Sequence, residues 1–202
     1  MLTENRDETR ERIIDAALNR FTYYGASKTT MNEIAEDLHC SKASLYYYFP
    51  DKQALHVAVL EKAGETYFHD LQEKADQAVT ARQAFMELIA TRHEFARRFC
   101  RLELFKVLKD KHLVRIANKA FEAARDREIG IITNIIEKGV DRGEMVSADP
   151  AKVAALYMHA MIGLRLSLVS KDLSEEISDE EFERVREWQV QLADIFINSL
   201  KK

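Results

Sequence analysis

Residues 41 to 52 read SKASLYYYFPDK and bring polar and aromatic groups together at close spacing. Lys42 and Lys52 carry ammonium donors, Ser41 and Ser44 carry hydroxyls, and Tyr46 and Tyr47 each join a ring to a terminal hydroxyl. Such groups suit recognition. Lysine donates to phosphate or to guanine edges, serine hydroxyls serve base or phosphate, and a tyrosine ring covers a thymine methyl while its hydroxyl reaches a phosphate. Tyrosines at helical spacing also serve core or interface packing, so the run alone leaves both uses open.

Chemistry of other kinds finds little support. No GxSxG, HExxH or glycine-rich phosphate loop occurs, and the six histidines show no metal-ligand spacing, so neither an enzyme nor a metal or cofactor site is expected. Cys40 and Cys100 are distant single thiols without a CxxC, which fits two small buried hydrophobes in a reducing cytoplasm. The segment MLTENRDETRER is polar and charged, unlike a secretory signal. The most apolar stretch, between Lys152 and Arg165, runs twelve residues, whereas a bilayer span takes about 20. A cytoplasmic protein without a membrane anchor is expected.

The elements that must position these residues are helices. With 202 residues, 47% hydrophobic and 32% charged, the chain can bury a real core, and two prolines and six glycines leave few turns. Ile14, Ala17, Leu18 and Phe21 recur at helical spacing ahead of Gly25, a C-cap suited to the left-handed region. Thr30 followed by Glu33 forms a capping-box pattern that starts a second helix near Met31, carrying Ile34, Ala35 and Leu38 inward. Ser41 caps a third short helix, and Pro50 ends it at Phe49. Asp51 caps a long fourth helix, about 51 to 74, suited to connecting two bodies. Further helices are expected near 81 to 99, 101 to 110, 113 to 141, 150 to 170 and 178 to 200, with Asp149-Pro150 as a helix start. The protein is therefore read as all-α.

Two short helices joined by a tight turn describe a helix-turn-helix. In its second helix Leu45 and Phe49 face a small core, leaving Ser41, Lys42, Ser44 and Tyr47 on another side. Over its whole length TTMNEIAEDLHCSKASLYYYFPDKQAL resembles the DNA-binding signature of the TetR-type transcriptional regulators. That resemblance assigns Thr30, Tyr46 and Lys52 to phosphates and Lys42, Ala43, Ser44 and Tyr47 to the major groove, with Lys28, Thr29 and Ser41 completing the candidate set. The chain departs from the family pattern at His39, where glycine is usual, and at Cys40 and Ala43. From Ser27 to His56 three lysines face four carboxylates, a net of minus one, which predicts modest nonspecific affinity unless Arg6, Arg10 and Arg12 add to the lysines.

The resemblance further implies a helix-turn-helix domain over 1–52, a helical ligand-binding and dimerisation domain over 53–202, and a repressor released from a palindromic operator by a small-molecule effector. The alternative is an interaction or co-activator protein of the same fold that does not bind DNA. The segment VAALYMHAMIGLRLSLV is apolar on nearly every side, so one face is expected to meet a second copy. Ala160, Gly163, Trp188, Leu192, Ile195 and Phe196 are the candidate interface residues. Arg92 lies on the stripe Phe85, Leu88, Arg92, Phe95, Phe99, and a core-facing guanidinium needs either an internal carboxylate, such as Glu103 or Glu122, or an anionic ligand. Tyr67, Leu88, His93, Phe121, Tyr157, His159 and Met161 are the other candidate lining residues.

Overall fold

The computed structural model describes residues 2–101, 111–168 and 178–201, with side chains described over 6–98, 119, 121–167 and 178–201. These form eight helices: α1 Leu2–Tyr24, α2 Met31–Asp37, α3 Lys42–Tyr48, α4 Lys52–Gln77, α5 Ala81–Arg101, α6 Lys111–Asp141, α7 Pro150–Leu168 and α8 Asp179–Ser199. No strand occurs among the described residues. The all-α reading holds. The expected helix over 101 to 110 beyond Arg101, Glu103 and the Cys100 side chain lie outside the described residues.

The chain divides into two compact units, the first built on Met1–Thr66 and the second on Tyr67–Arg97 with the described residues from Lys111 onward. The core of the first unit gathers Ile14, Ala17 and Phe21 of α1, Ile34 and Ala35 of α2, Leu45 and Phe49 at α3, and Leu55 and Val59 of α4. Leu38 and Cys40 are half-buried against it. Lys62 ties α4 back to α1, its ammonium 2.6 Å from Asp15 and 2.9 Å from Glu11.

Local chemistry sets the helix ends. Thr30 and Glu33 form the expected capping box. The Ser44 amide donates to Ser41 Oγ at 3.1 Å, and the Ala54 amide to Asp51 Oδ1 at 2.7 Å. Phe49 is extended, as a residue before proline must be. Helix α2 closes in a Schellman motif: the Cys40 amide donates to the Ala35 carbonyl and the His39 amide to the Glu36 carbonyl, both at 3.0 Å. His39 stands at the left-handed position with φ 51°. Two hydrogen bonds, with Cys40 half-buried against the core beyond it, hold a residue there that lacks glycine's freedom. Gly25, with φ 85°, ends α1.

The second unit closes around Phe85, Leu88 and Ile89 of α5, Ile132 and Ile136 of α6, Tyr157 and Met161 of α7, and Ala193 and Ile197 of α8. Asp149 caps α7, the Lys152 amide donating to its carboxylate at 3.0 Å, and Ser178 with Glu181 caps α8. No helix is long and apolar enough to cross a membrane among the described residues.

Candidate functional site

In the first unit, burial of Leu45 and Phe49 turns the rest of α3 outward. Ser41, Lys42, Ala43, Ser44, Tyr46 and Tyr47 form one contiguous exposed face, with Tyr47 66% exposed. A leucine at 45 and a phenylalanine at 49 bury one stripe of a helix, and a seven-residue helix has little else to bury. Lys42 Nζ stands 5.7 Å from the centre of the Tyr46 ring. The Arg6 guanidinium lies 5.3 Å from the Tyr47 ring centre, and Arg10 lies at the same distance from Phe49. These cation–π contacts bring charge from α1 toward the face of α3.

The flanking candidates divide. Lys28 is exposed, and Lys52 is half-buried with Nζ 3.4 Å from the Ser27 carbonyl. Thr29 is 1% exposed and donates its hydroxyl to the Gly25 carbonyl at 3.1 Å, so it lies in the interior of the loop. Thr30 has committed its donors: its amide and hydroxyl both donate to Glu33 Oε2, at 2.7 and 2.8 Å. A phosphate oxygen accepts and cannot donate, so it would compete with Glu33 for those protons.

Sequence reasoning missed Arg20. Its guanidinium donates to Asp37 at 3.0 Å and lies 3.4 Å from Glu33, so two of the four carboxylates counted near α3 are held by a cation outside that count. The Arg20 hydrogen bond keeps the Asp37 carboxyl below its usual range, and the Thr30 amide does the same for Glu33.

The second unit holds a buried polar centre. Tyr67, stacked on Phe95 with ring centres 4.3 Å apart, donates its hydroxyl to Glu128 Oε1 at 2.8 Å. Glu128 Oε2 faces Arg92 Nη1 at 3.6 Å and has no hydrogen-bond partner among the described residues; the same is true of the Tyr157 hydroxyl. Burial pushes the Tyr67 and Tyr157 hydroxyls well above the ordinary tyrosine range, so both stay protonated. The carboxylate that answers Arg92 here is Glu128, while Glu122 is exposed. A signal for Glu128 existed: it precedes Ile132 by four residues and Ile135 by seven, a charge on the apolar stripe of α6.

Beside Arg92 a small cavity of about 30 Å³ is lined by His93 and Ala96 of α5, Arg165 of α7, and Phe182, Val185 and Gln189 of α8. Leu88 and Met161 are core residues, whereas Phe121 and His159 are exposed. Of the candidate interface residues, Gly163, Trp188 and Ile195 are exposed and Ala160 is half-buried. Leu192 and Phe196 pack against the unit's own core, Phe196 with its ring centre 4.8 Å from that of Tyr157. Leu156 and Leu166 add apolar exposure on α7. His69, Asp70 and Glu73 bring their ligand atoms within 4.8 Å of one another on the outer side of α4, as surface carboxylates often do without an ion.

Comparison with known proteins agrees with this geometry. The family profile for bacterial regulatory proteins of the tetR family matches residues 13–59. The HTH-type transcriptional regulator RutR of Escherichia coli (strain K12) is 46% identical over 50 residues, 25% of this chain and 24% of that protein, so that match spans about a quarter of the relative's length. The HTH-type transcriptional regulator TtgR of Pseudomonas putida is 28% identical over 88% of this chain and 89% of its own. The crystal structure of a transcriptional regulator from Cytophaga hutchinsonii superposes with a TM-score of 0.85 at 29% identity, covering 95% of this chain and 98% of that one.

Proposed function

Because the chain belongs to the TetR family of transcriptional regulators, we propose that it works as a homodimeric repressor, in which the first unit of each copy reads one half of a palindromic operator and a small-molecule effector bound in the second unit releases it. The observation that carries this reading is the exposed face of α3, where Lys42, Ala43, Ser44, Tyr46 and Tyr47 present donors and rings together while Leu45 and Phe49 anchor the helix from behind. A helix so anchored fits the major groove, and a two-fold dimer spaces two such helices for half-sites about 34 Å apart. Lys28 and Lys52 fit phosphate contacts on either side. Arg20, by holding Asp37 and Glu33, reduces the repulsion that carboxylates of α2 would exert on a duplex.

The exposed apolar residues Leu156 and Leu166 of α7 and Trp188 and Ile195 of α8 support the dimer, since such side chains are more stable covered than in water. The test is a gel shift with the DNA upstream of the protein's own gene, followed by selection from random duplexes. A selected inverted repeat is the expected outcome. Failure to retain any duplex at low salt would favour the interaction or co-activator protein instead.

A further inference from the structure

We infer that the N-terminal turns of α1 form a further element of the DNA interface, in which Arg6, stacked on Tyr47, holds a phosphate beside the groove that α3 enters. This rests on the reading above that α3 meets duplex DNA, and it names a further residue of that site.

Two contacts fix where this part of α1 lies. Arg6 and Arg10 are four residues apart on one face of the helix, and their guanidiniums each stand 5.3 Å from a ring centre, Tyr47 for Arg6 and Phe49 for Arg10, at the C-terminal end of α3. By helical spacing the same face continues into Ile13, Ala17 and Phe21, which are buried in the core of the first unit. The stripe that packs this unit therefore turns from apolar to basic where it passes from the core to the rim of α3. Phe49 is buried, so Arg10 covers the edge of the core, whereas Tyr47 is 66% exposed, so Arg6 lies out on the reading face itself.

A guanidinium stacks on a ring by its flat face, while its N–H groups project outward in the plane. Stacking on Tyr47 and edge-on donation to a phosphate oxygen are thus compatible, and they set a ring for a base and a cation for the adjoining backbone side by side.

The carboxylates of α1 are mostly turned elsewhere. Glu11 and Asp15 meet Lys62 of α4 at 2.9 and 2.6 Å. Helical spacing places Glu8 on the side of α1 opposite Arg6, and Asp7 stands about 100° round the helix from it. Arg10 also lies 3.6 Å from Glu11, so the phosphate contact is assigned to Arg6. Arg12 falls on the far side with Glu8 and does not join it.

The test uses the full-length protein, the duplex selected with the wild type, and the variants Arg6→Ala, Arg6→Lys and Arg12→Ala. Arg6 is exposed and alanine favours helix, so Arg6→Ala should fold, as circular dichroism will report. It should bind each half-site about tenfold more weakly and lower the slope of log affinity against log salt by about one per half-site. Arg6→Lys, which keeps the charge but not the planar fork, should keep the slope and fall between in affinity. Arg12→Ala removes the same net charge from the far side of α1 and should keep the wild-type slope. Ethylation interference should show one phosphate per half-site whose modification weakens the wild type and no longer affects Arg6→Ala. An unchanged slope in Arg6→Ala, an equal drop in Arg12→Ala, or an unchanged interference pattern would each overturn the inference. Duplex retention by the wild type at low salt is read first. If none is retained, the regulatory reading fails and this inference with it; if the duplex is retained and Arg6→Ala behaves as the wild type does, this inference alone fails.

Discussion

Arg92 Nη1 and Glu128 Oε2 face each other at 3.6 Å in the interior of the second unit, with only 18% and 9% of their side chains exposed. Two buried opposite charges without a hydrogen bond between them add little net stability as a pair, but removing one leaves the other uncompensated. Arg92→Met should therefore cost about 3–5 kcal/mol. The double variant Arg92→Met with Glu128→Met should recover most of that loss, because no lone charge remains. Urea denaturation of the four proteins in this cycle measures the coupling, and additive losses would contradict it.

A second prediction follows from His93. Burial, the largest influence, lowers its pKa below the ordinary 6.5, while Glu183 opposes that and Arg186 and Arg97 reinforce it. In the unfolded chain the imidazole takes up a proton as pH falls through about 6.5, and in the fold it does so only at lower pH. Its contribution to stability is thus fully present above pH 6.5 and declines as pH drops from there toward the folded value. His93→Gln, which cannot titrate, should flatten the melting temperature over that window. An unchanged slope would assign the acid sensitivity to another group.

What could be read from the sequence was mostly local. Thr30 with Glu33, Ser41, Asp51 and Asp149 lie within a turn of the amides they cap, so the motif and its geometry are nearly the same statement. The alternation of buried Leu45 and Phe49 with exposed Lys42, Ser44 and Tyr47 follows from helical periodicity alone. The commitment of the Thr30 amide to Glu33 was also implicit in the capping box, whereas the hydroxyl accepts from the Glu33 amide in that motif and its further donation to Glu33 Oε2 was not. Long-range pairings were less accessible. Arg20 and Asp37 are 17 residues apart, Tyr67 and Glu128 are 61 apart, and helical spacing says which face a residue occupies but not which helix will lie against it. Phe121, an aromatic read as a lining candidate from its spacing, is 46% exposed.

The lysines of the first unit should separate by role. Lys52→Ala, as the loss of one phosphate contact, should weaken binding to all duplexes to a similar degree and lower the slope of log affinity against log salt by about one. Lys42→Ala removes a donor from the exposed face of α3 and should change which bases are selected, by about 1–3 kcal/mol at the affected position. Anisotropy titrations at several salt concentrations, with selection repeated for each variant, make the distinction. Two variants with equal slopes and the wild-type consensus would remove both lysines from the interface.

Gly163 gives the most direct test of the dimer, because within one protomer it has no packing role. A Cβ built there meets no atom within 4 Å among the described residues, and the position is exposed on α7. Replacing glycine in a helix by a better helix former gains roughly 0.5–1 kcal/mol. A folded, helical Gly163→Glu protomer is therefore expected from circular dichroism. At a close, apolar contact between two copies of α7 the same glutamate would be buried without a partner, costing several kcal/mol at each of two symmetric positions. Sedimentation at micromolar concentration should then show dimer for the wild type and monomer for Gly163→Glu, and the variant should lose tight binding to a full palindrome while retaining weak binding to a half-site. A variant that remains dimeric would place the two-fold contact away from Gly163.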